Sequence, residues 1–290
     1  MQHYRYHSLV LLLALLAQAN ADETTPTTTI NWAINVAPPF HITEGQYKQQ
    51  GLCDALINTV HRYLPQLKRH RQILPQPRIG QAMERNENVC FPCMILKTQG
   101  EKGRFYSQPT HMYRPHQLIT NSETAARILQ KYPLPVSLSD LLADDSFRFG
   151  YPAGRRYGVL QPLIEGQDNR PGNRLVRAGD NGPPAILQMI SAGRLDFTID
   201  YSIIKRYVEL TTSEQLVMLP IAENDQQPVT GAIGCTNNAW GRNVIEQINA
   251  VMLQIRQDND FQDSQNFWFE PVQGISYQQF NQEHLPAIVP

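Results

Sequence analysis

From Ile30 the chain alternates, with Ile30, Trp32, Ile34 and Val36 separated by Asn31, Ala33 and Asn35. That period of two predicts a strand, and Ala37-Pro38-Pro39 ends it, because proline has no amide donor for a sheet interior. Phe40 then falls on a loop at the strand's C-terminal end. Beyond Gly45 and Gly51 the period lengthens: Leu52, Ala55, Leu56, Val60 and Leu64 recur at helical spacing as far as Pro65. The opening unit is therefore strand, loop, helix.

Similar units follow. A helix is predicted from Pro77-Arg78, since proline suits a first turn, through Met83 to the polar stop Asn86-Glu87-Asn88. Val89 to Leu96 reads as a buried strand made irregular by Pro92, and Gln117 to Thr120 as a short strand leading into a helix from about Ser122 to Tyr132. The grammar then restarts: a helix at Ser139 to Ala143, a strand at Phe147 to Tyr151, a turn at Pro152-Ala153-Gly154, a helix at Pro184 to Ala192 and a strand at Leu195 to Ile199. This last helix, turn and strand echo Gln81 to Phe91, which points to two similar α/β lobes. A late strand, about Val229 to Cys235, and a helix using Val244, Ile248, Val251, Met252 and Ile255 have no sheet of their own. Returned to the first lobe, they give two crossings that act as a hinge. The expected division is lobe 1 from residues 30–117 and 229–275, lobe 2 from 118–228, and a C-terminal tail over 276–290.

Ahead of the first strand, Arg5, the apolar run Leu9 to Ala17 and the small-x-small site Ala19-Asn20-Ala21 read as a signal peptide over 1–21, so export to the periplasm is expected. A Thr-rich stretch over 22–29 reads as a flexible leader. The apolar run is about half of the ~20 residues a spanning helix needs, and no other segment comes closer, so no membrane anchor is expected. Asp22 also stands where a lipid anchor would need Cys. Cleavage removes only Arg5 among the charged residues, leaving 24 Lys and Arg against 26 Asp and Glu, a net charge of −2. This balance offers no basic field for nucleic acid or anionic lipid. With 41% hydrophobic residues the chain can bury a sizeable core, so its four cysteines fit one or two bridges rather than a disulfide scaffold. Pairing of Cys90 or Cys93 with Cys53 or Cys235 would tie remote segments of one lobe together. Cys90-Phe91-Pro92-Cys93 also has the spacing of a thiol redox motif or half a zinc site, but no second CxxC or His pair accompanies it. No metal or cofactor is expected.

Several motifs together resemble the family 3 extracellular solute-binding proteins, the ligand-capture components of amino-acid-type ABC importers. They are Ala37-Pro38-Pro39-Phe40, Gly51-Leu52-Cys53-Asp54-Ala55-Leu56, Phe105-Tyr106-Ser107-Gln108-Pro109, Ala192-Gly193-Arg194-Leu195-Asp196-Phe197 and the run from Cys235 to Arg242. The correspondence covers nearly all of Ile30 to Phe269. More narrowly, the chain is similar to a branch with a Cys in the strand before a Lys-Thr pair, here Cys90 and Lys97-Thr98. The resemblance implies two Rossmann-like lobes of the type II periplasmic-binding-protein kind, closing a cleft on a small polar ligand, an amino acid or a related compound. It also implies a permease partner.

Such a cleft needs an anion site, a cation site and apolar walls. The family places a carboxylate-binding Arg between the third strand and the Phe-Ser-x-Pro stretch, but here that position falls near Gly100. Arg104 either substitutes from a shifted place or is a solvated surface residue. Arg155, Arg156 and Tyr157 sit where a strand passes into a helix, a place where backbone N–H groups face an anion. Arg78, at a helix start, has a family counterpart that faces the cleft. Asp200 ends a strand, where ligands gather in open α/β sheets, and matches the family's ammonium-binding Asp. Asp196, on the same strand, is expected to face solvent or start the turn. Phe40 is the first choice for an apolar wall, with Tyr113 and Tyr157 second, while Trp32 is expected in the core.

No Gly-x-Ser-x-Gly, His-Glu-x-x-His or phosphate-loop pattern occurs, so an enzyme is not expected. Two alternatives keep the same fold: a sensor that signals to a membrane receptor, and a dehydratase with one acid in the cleft. A monomer is expected, because lobe closure needs both halves free.

Overall fold

Strand β1 (Thr29–Ile34) is buried on both faces: Trp32 enters the main apolar cluster, while Ala33 packs with Ile79, Ala82 and Met83 on the other side. A central parallel strand is covered in this way. The computed structural model describes residues 29–96, 104–166, 173–179, 181–224, 228–272 and 274–288. The signal peptide read over 1–21, the leader as far as 28, Lys97-Thr98 and the segment up to Gly103 lie outside the described residues. Thr29, read as leader, is the first residue of β1.

The remaining elements follow in order: α1 (Leu52–Tyr63), β2 (Lys68–Ile73), α2 (Gln76–Glu84), β3 (Cys90–Ile95), β4 (Arg104–Tyr106), β5 (His111–Tyr113), β6 (Gln117–Thr120), α3 (Ser122–Lys131) and α4 (Leu138–Ala143). Then come β7 (Phe149–Pro152), α5 (Gln161–Glu165), β8 (Arg174–Arg177), α6 (Gly182–Ser191), β9 (Phe197–Asp200), α7 (Ser202–Thr211) and β10 (Val217–Leu219). The chain continues through β11 (Val229–Thr236), α8 (Ala239–Ala250), α9 (Met252–Gln257), α10 (Asn259–Trp268) and α11 (Tyr277–His284).

Two sheets result. The first runs β2-β1-β3-β11-β4, with β5 also on β11, and the second runs β10-β6-β9-β7-β8. The same grammar builds both. In the first, β2, β1 and β3 are parallel and β11 is antiparallel beside β3. In the second, β8, β7 and β9 are parallel and β6 is antiparallel beside β9. The chain passes from the first sheet to the second between β5 and β6, and returns between β10 and β11. Strand β2, Lys-Arg-His-Arg-Gln-Ile, shows no apolar alternation because it is an exposed edge, where charged side chains discourage pairing with other chains.

Apolar contacts do not stop at the sheet boundary: Ile186 and Leu187 of α6 and Ile203, Ile204 and Val208 of α7 belong to the same buried cluster as Trp32 and Leu56. Within residues 276–288, read from sequence as a tail, α11 is opened by a capping box between Ser276 and Gln279. The Tyr277 hydroxyl donates to Met112 O at 2.7 Å on β5. Tyr277 and Phe280, three residues apart, are too sparse an apolar pattern to mark that helix. Asp196, expected to face solvent or start the turn, lies just before β9 and is buried: its carboxylate accepts from Arg148 Nε and Arg148 N at 2.8 Å and from Arg127 Nη1 at 3.1 Å. Two arginines supply the partners that let an acid leave water.

Cys53 is bridged to Cys93 and Cys90 to Cys235, so both bridges join an early cysteine to a partner remote in sequence. The first ties α1 to β3, and the second joins β3 to β11 across directly opposed residues. In the chain-entropy account the bridge with the longer loop constrains the unfolded chain more. With 145 residues between Cys90 and Cys235 against 40 between Cys53 and Cys93, the difference is about 1 kcal/mol. Urea unfolding of C90A/C235A and of C53A/C93A should place the former lower by that margin; the reverse order would show that local packing decides.

Half-buried His61 and fully buried His111 make the fold acid-sensitive. Trp32 Nε1 donates to His61 Nε2 at 2.9 Å, and His61 Nδ1 lies 3.1 Å from Leu67 O, so the ring is held neutral. Burial, then the nearby Arg69 charge, pull its pKa down from 6.5 to about 4, and burial pulls His111 down to about 3. Between those values and 6.5 the unfolded chain binds more protons than the folded one, so stability falls as pH is lowered through that window. Melting temperature measured from pH 7 to pH 4 should decline steadily; a flat profile would show these imidazoles to be solvated.

Candidate functional site

Loops at the C-terminal ends of the parallel strands carry the chemistry. The loop after β1 is held by the start of α1: Leu52 N donates to Pro39 O and Cys53 N to Phe40 O, both at 2.9 Å. A Cβ on Gly51 would stand 2.4 Å from the Phe40 carbonyl oxygen, so only glycine allows this approach. Asp54, in the same first turn, accepts from Ile42 N at 3.0 Å and lies 3.1 Å from His41 Nδ1. The sequence Gly51-Leu52-Cys53-Asp54 thus fixes the loop that presents Phe40.

In the second half, Asp200 is the last residue of β9 and Arg155 follows the turn after β7, where Gly154 adopts φ +76°. Arg155 Nη2 donates to Asp200 Oδ1, which also accepts from Tyr201 N at 2.8 Å. The guanidinium carbon lies 5.2 Å from the centre of the Phe40 ring and 5.3 Å from that of Tyr201, a cation on two aromatic rings. Tyr201 stacks with Tyr113 at 4.4 Å and with His116 at 4.0 Å, and Tyr157 lies 5.6 Å from His116. Residues from both halves therefore close on one ion pair. The halves also touch nearby, where Asn181 N donates to Val36 O at 3.1 Å and a Cβ on Gly154 would lie 3.4 Å from Gln76 and Pro77.

Of the residues singled out from sequence, Phe40, Arg155, Tyr157 and Asp200 come together, with Tyr113 beside them. Arg78 stays exposed on the first turn of α2. Arg104 lies along α2, with Nε 3.3 Å from Met83 Sδ. Arg156 points away, exposed and 3.6 Å from Glu165. Two members of the cluster were not read from sequence. Tyr201 directly follows Asp200, a neighbour that the strand-end argument could have taken in. His116 sits in the first crossing segment, and a lone histidine there carries no periodic signal.

Burial governs the electrostatics. It pushes the Asp200 carboxyl above the usual carboxylate range, against the pull of the Arg155 guanidinium. It pulls His116 well below its ordinary value, helped by the Arg155 charge, so that imidazole is neutral. It also keeps the Tyr157 and Tyr201 phenols protonated.

No family model and no curated protein matches the chain. Solved structures do match. One is an ancestral arginine-binding protein bound to arginine, at a TM-score of 0.61 and 15% identity, covering 84% of this chain and 100% of that one. A putative L-cystine ABC transporter from Listeria monocytogenes gives 0.62 at 14% identity, over 83% of this chain and 96% of its own. A histidine kinase sensor domain with similarity to periplasmic binding proteins gives 0.61 at 12%, over 85% and 99%. The chain has the type II periplasmic-binding-protein fold. Within this periplasmic-binding-protein fold, Phe40 and Tyr113 come from the half built on β1, while Arg155, Tyr157, Asp200 and Tyr201 come from the half built on β7. His116 stands on the first connection between them.

Removing one partner of a buried ion pair leaves the other charge without compensation. Asp200→Asn should therefore cost about 3 kcal/mol in urea unfolding, whereas Arg156→Gln, at an exposed pair, should change stability by less than about 0.5 kcal/mol. Equal losses would show that the Arg155 and Asp200 pair is solvated.

Proposed function

We propose that this chain is an exported solute-binding protein that holds a small polar ligand, an amino acid or a related compound, between its two halves. The observation that carries the reading is the ion pair of Arg155 and Asp200, set at strand ends of one half and covered by Phe40 from the other. A charged pair and aromatic walls at the meeting of two α/β halves are what recognition of a small charged molecule requires. The fold supports it, since the proteins it resembles include a substrate-binding protein of an amino acid ABC transporter. The signal-like sequence over 1–21 supports export to the periplasm, where an importer's permease would be the partner.

The division into lobes follows from the same reading. Residues 30–117 with 229–275 form one lobe and 118–228 the other, and the segments around His116 and Asn224 act as the hinge. Asn224 Nδ2 donates to His116 O at 3.0 Å, which couples the two crossings. Binding rather than turnover is the activity proposed, with Phe40, Arg155 and Tyr157 as the ligand contacts, Asp200 as the acid that holds Arg155 among them, and the monomer as the working unit.

A ligand that binds only the folded state stabilises it by mass action, about 2.7 kcal/mol at a hundred times its dissociation constant. A thermal-shift screen of amino acids, polyamines and organic acids should therefore find a compound that raises the melting temperature. Phe40→Ala should remove that shift and Arg156→Ala should keep it. A hit unaffected by Phe40→Ala, or turnover of a prephenate-like acid, would refute the assignment.

A further inference from the structure

The cation position of the proposed site is already filled by the protein. The Arg155 guanidinium carries everything a bound cation would: a carboxylate at Asp200, and the rings of Phe40 and Tyr201 at 5.2 and 5.3 Å. Asp200 is already paired with a cation, since Arg155 and Tyr201 N both donate to its Oδ1. Around this pair the cluster leaves several donors without acceptors. Arg155 Nε, Tyr157 Oη, Tyr201 Oη and His116 Nε2 are all buried, and none has a hydrogen-bond partner among the described residues. Three of these are donors in any protonation state found at neutral pH, and the fourth belongs to an imidazole that can present N–H. Buried donors are normally satisfied, so a contiguous group of them marks a place where something that accepts hydrogen bonds belongs.

We infer that Arg155 is a tethered occupant of the site's cation position and its specificity determinant, turning away cationic ligands in favour of a small ligand that presents acceptors, such as a carboxylate. This rests on the solute-binding reading of the same cluster. It narrows that reading, since an external ammonium or guanidinium would have to expel Arg155 from Asp200 and from both rings. A carboxylate meets no such competitor and finds Arg155 Nε and the two phenols unpartnered.

The test replaces the tether by a free cation. Arg155→Ala removes the guanidinium and leaves its cage, so millimolar methylguanidinium chloride should raise the variant's melting temperature by about 3 °C or more over equal sodium chloride. The wild type should not respond. R155A/D200N should not respond either, which locates the effect at the carboxylate. If R155A is recovered unfolded, refolding with methylguanidinium should restore it, and failure of that rescue overturns the proposal. A wild-type shift with methylguanidinium or agmatine equal to that of R155A also overturns it, as does a folded R155A that ignores methylguanidinium. Lactate and succinate should shift the wild type where agmatine and putrescine do not. Rescue of R155A together with silence of the wild type towards every compound would uphold the tethered cation and refute solute binding instead.

Discussion

Arg155 and Asp200 leave water together, and the surroundings of the site answer to the cost of that step. A charge moved alone into the interior is too expensive to keep, and a pair persists only with close geometry and further donors. Asp200 receives both the guanidinium and the Tyr201 amide. The guanidinium receives two ring faces, which attract a cation without contributing a competing charge. Tyr201 serves twice, through its backbone on the acid and its ring on the base, and Tyr113 and His116 stack with that ring. The aromatic cluster is thus the packing that a buried ion pair imposes on the strand ends.

Phe40 belongs to this cluster only because the chain around it has little freedom. The first turn of α1 satisfies its carbonyl, Gly51 permits the approach, and Asp54 holds the two residues that follow. Cys53, in the same turn, is bonded to β3, which is bonded in turn to β11 through Cys90. The ring that covers Arg155 is therefore carried on the most heavily cross-linked part of the molecule. A ring proposed as a ligand wall would take its precision from such a rigid support.

Much of the fold was legible because its central strands and amphipathic helices follow simple periods. The alternation from Ile30 gave β1, the spacing from Leu52 to Leu64 gave α1, and the echo between Gln81 to Phe91 and the later helix and strand corresponds to the α2–β3 and α6–β9 units of the two sheets. What escaped has physical causes. Strand β2 is a charged edge with no face to bury, and α11 is anchored by two residues on an otherwise polar helix. Asp196 reads as facing solvent or starting the turn because it alternates with apolar residues, and only the third dimension brings Arg127 and Arg148 to it. In the site, the argument from strand ends reached Phe40, Arg155 and Asp200 but treated them as separate subsites. That Arg155 turns onto Asp200 rather than outward is a matter of side-chain direction, and sequence holds no record of it.

The ion pair lies wholly within the half built on β7, whereas Phe40 and Tyr113 come from the half built on β1. Separation of the halves would leave Arg155 on Asp200 but strip away the Phe40 face and admit water. In water two unit charges about 4 Å apart attract by only ~1 kcal/mol, and the attraction rises severalfold as the surroundings dry. If the halves move as proposed, closure and pairing are coupled: approach of Phe40 would strengthen the bond between Arg155 and Asp200, and the pair would give the ring a cation to cover. A ligand that accepts from Arg155 Nε while leaving that pair intact would draw on the same coupling and favour the closed arrangement. One that competes for Asp200 would break the contact that makes closure favourable.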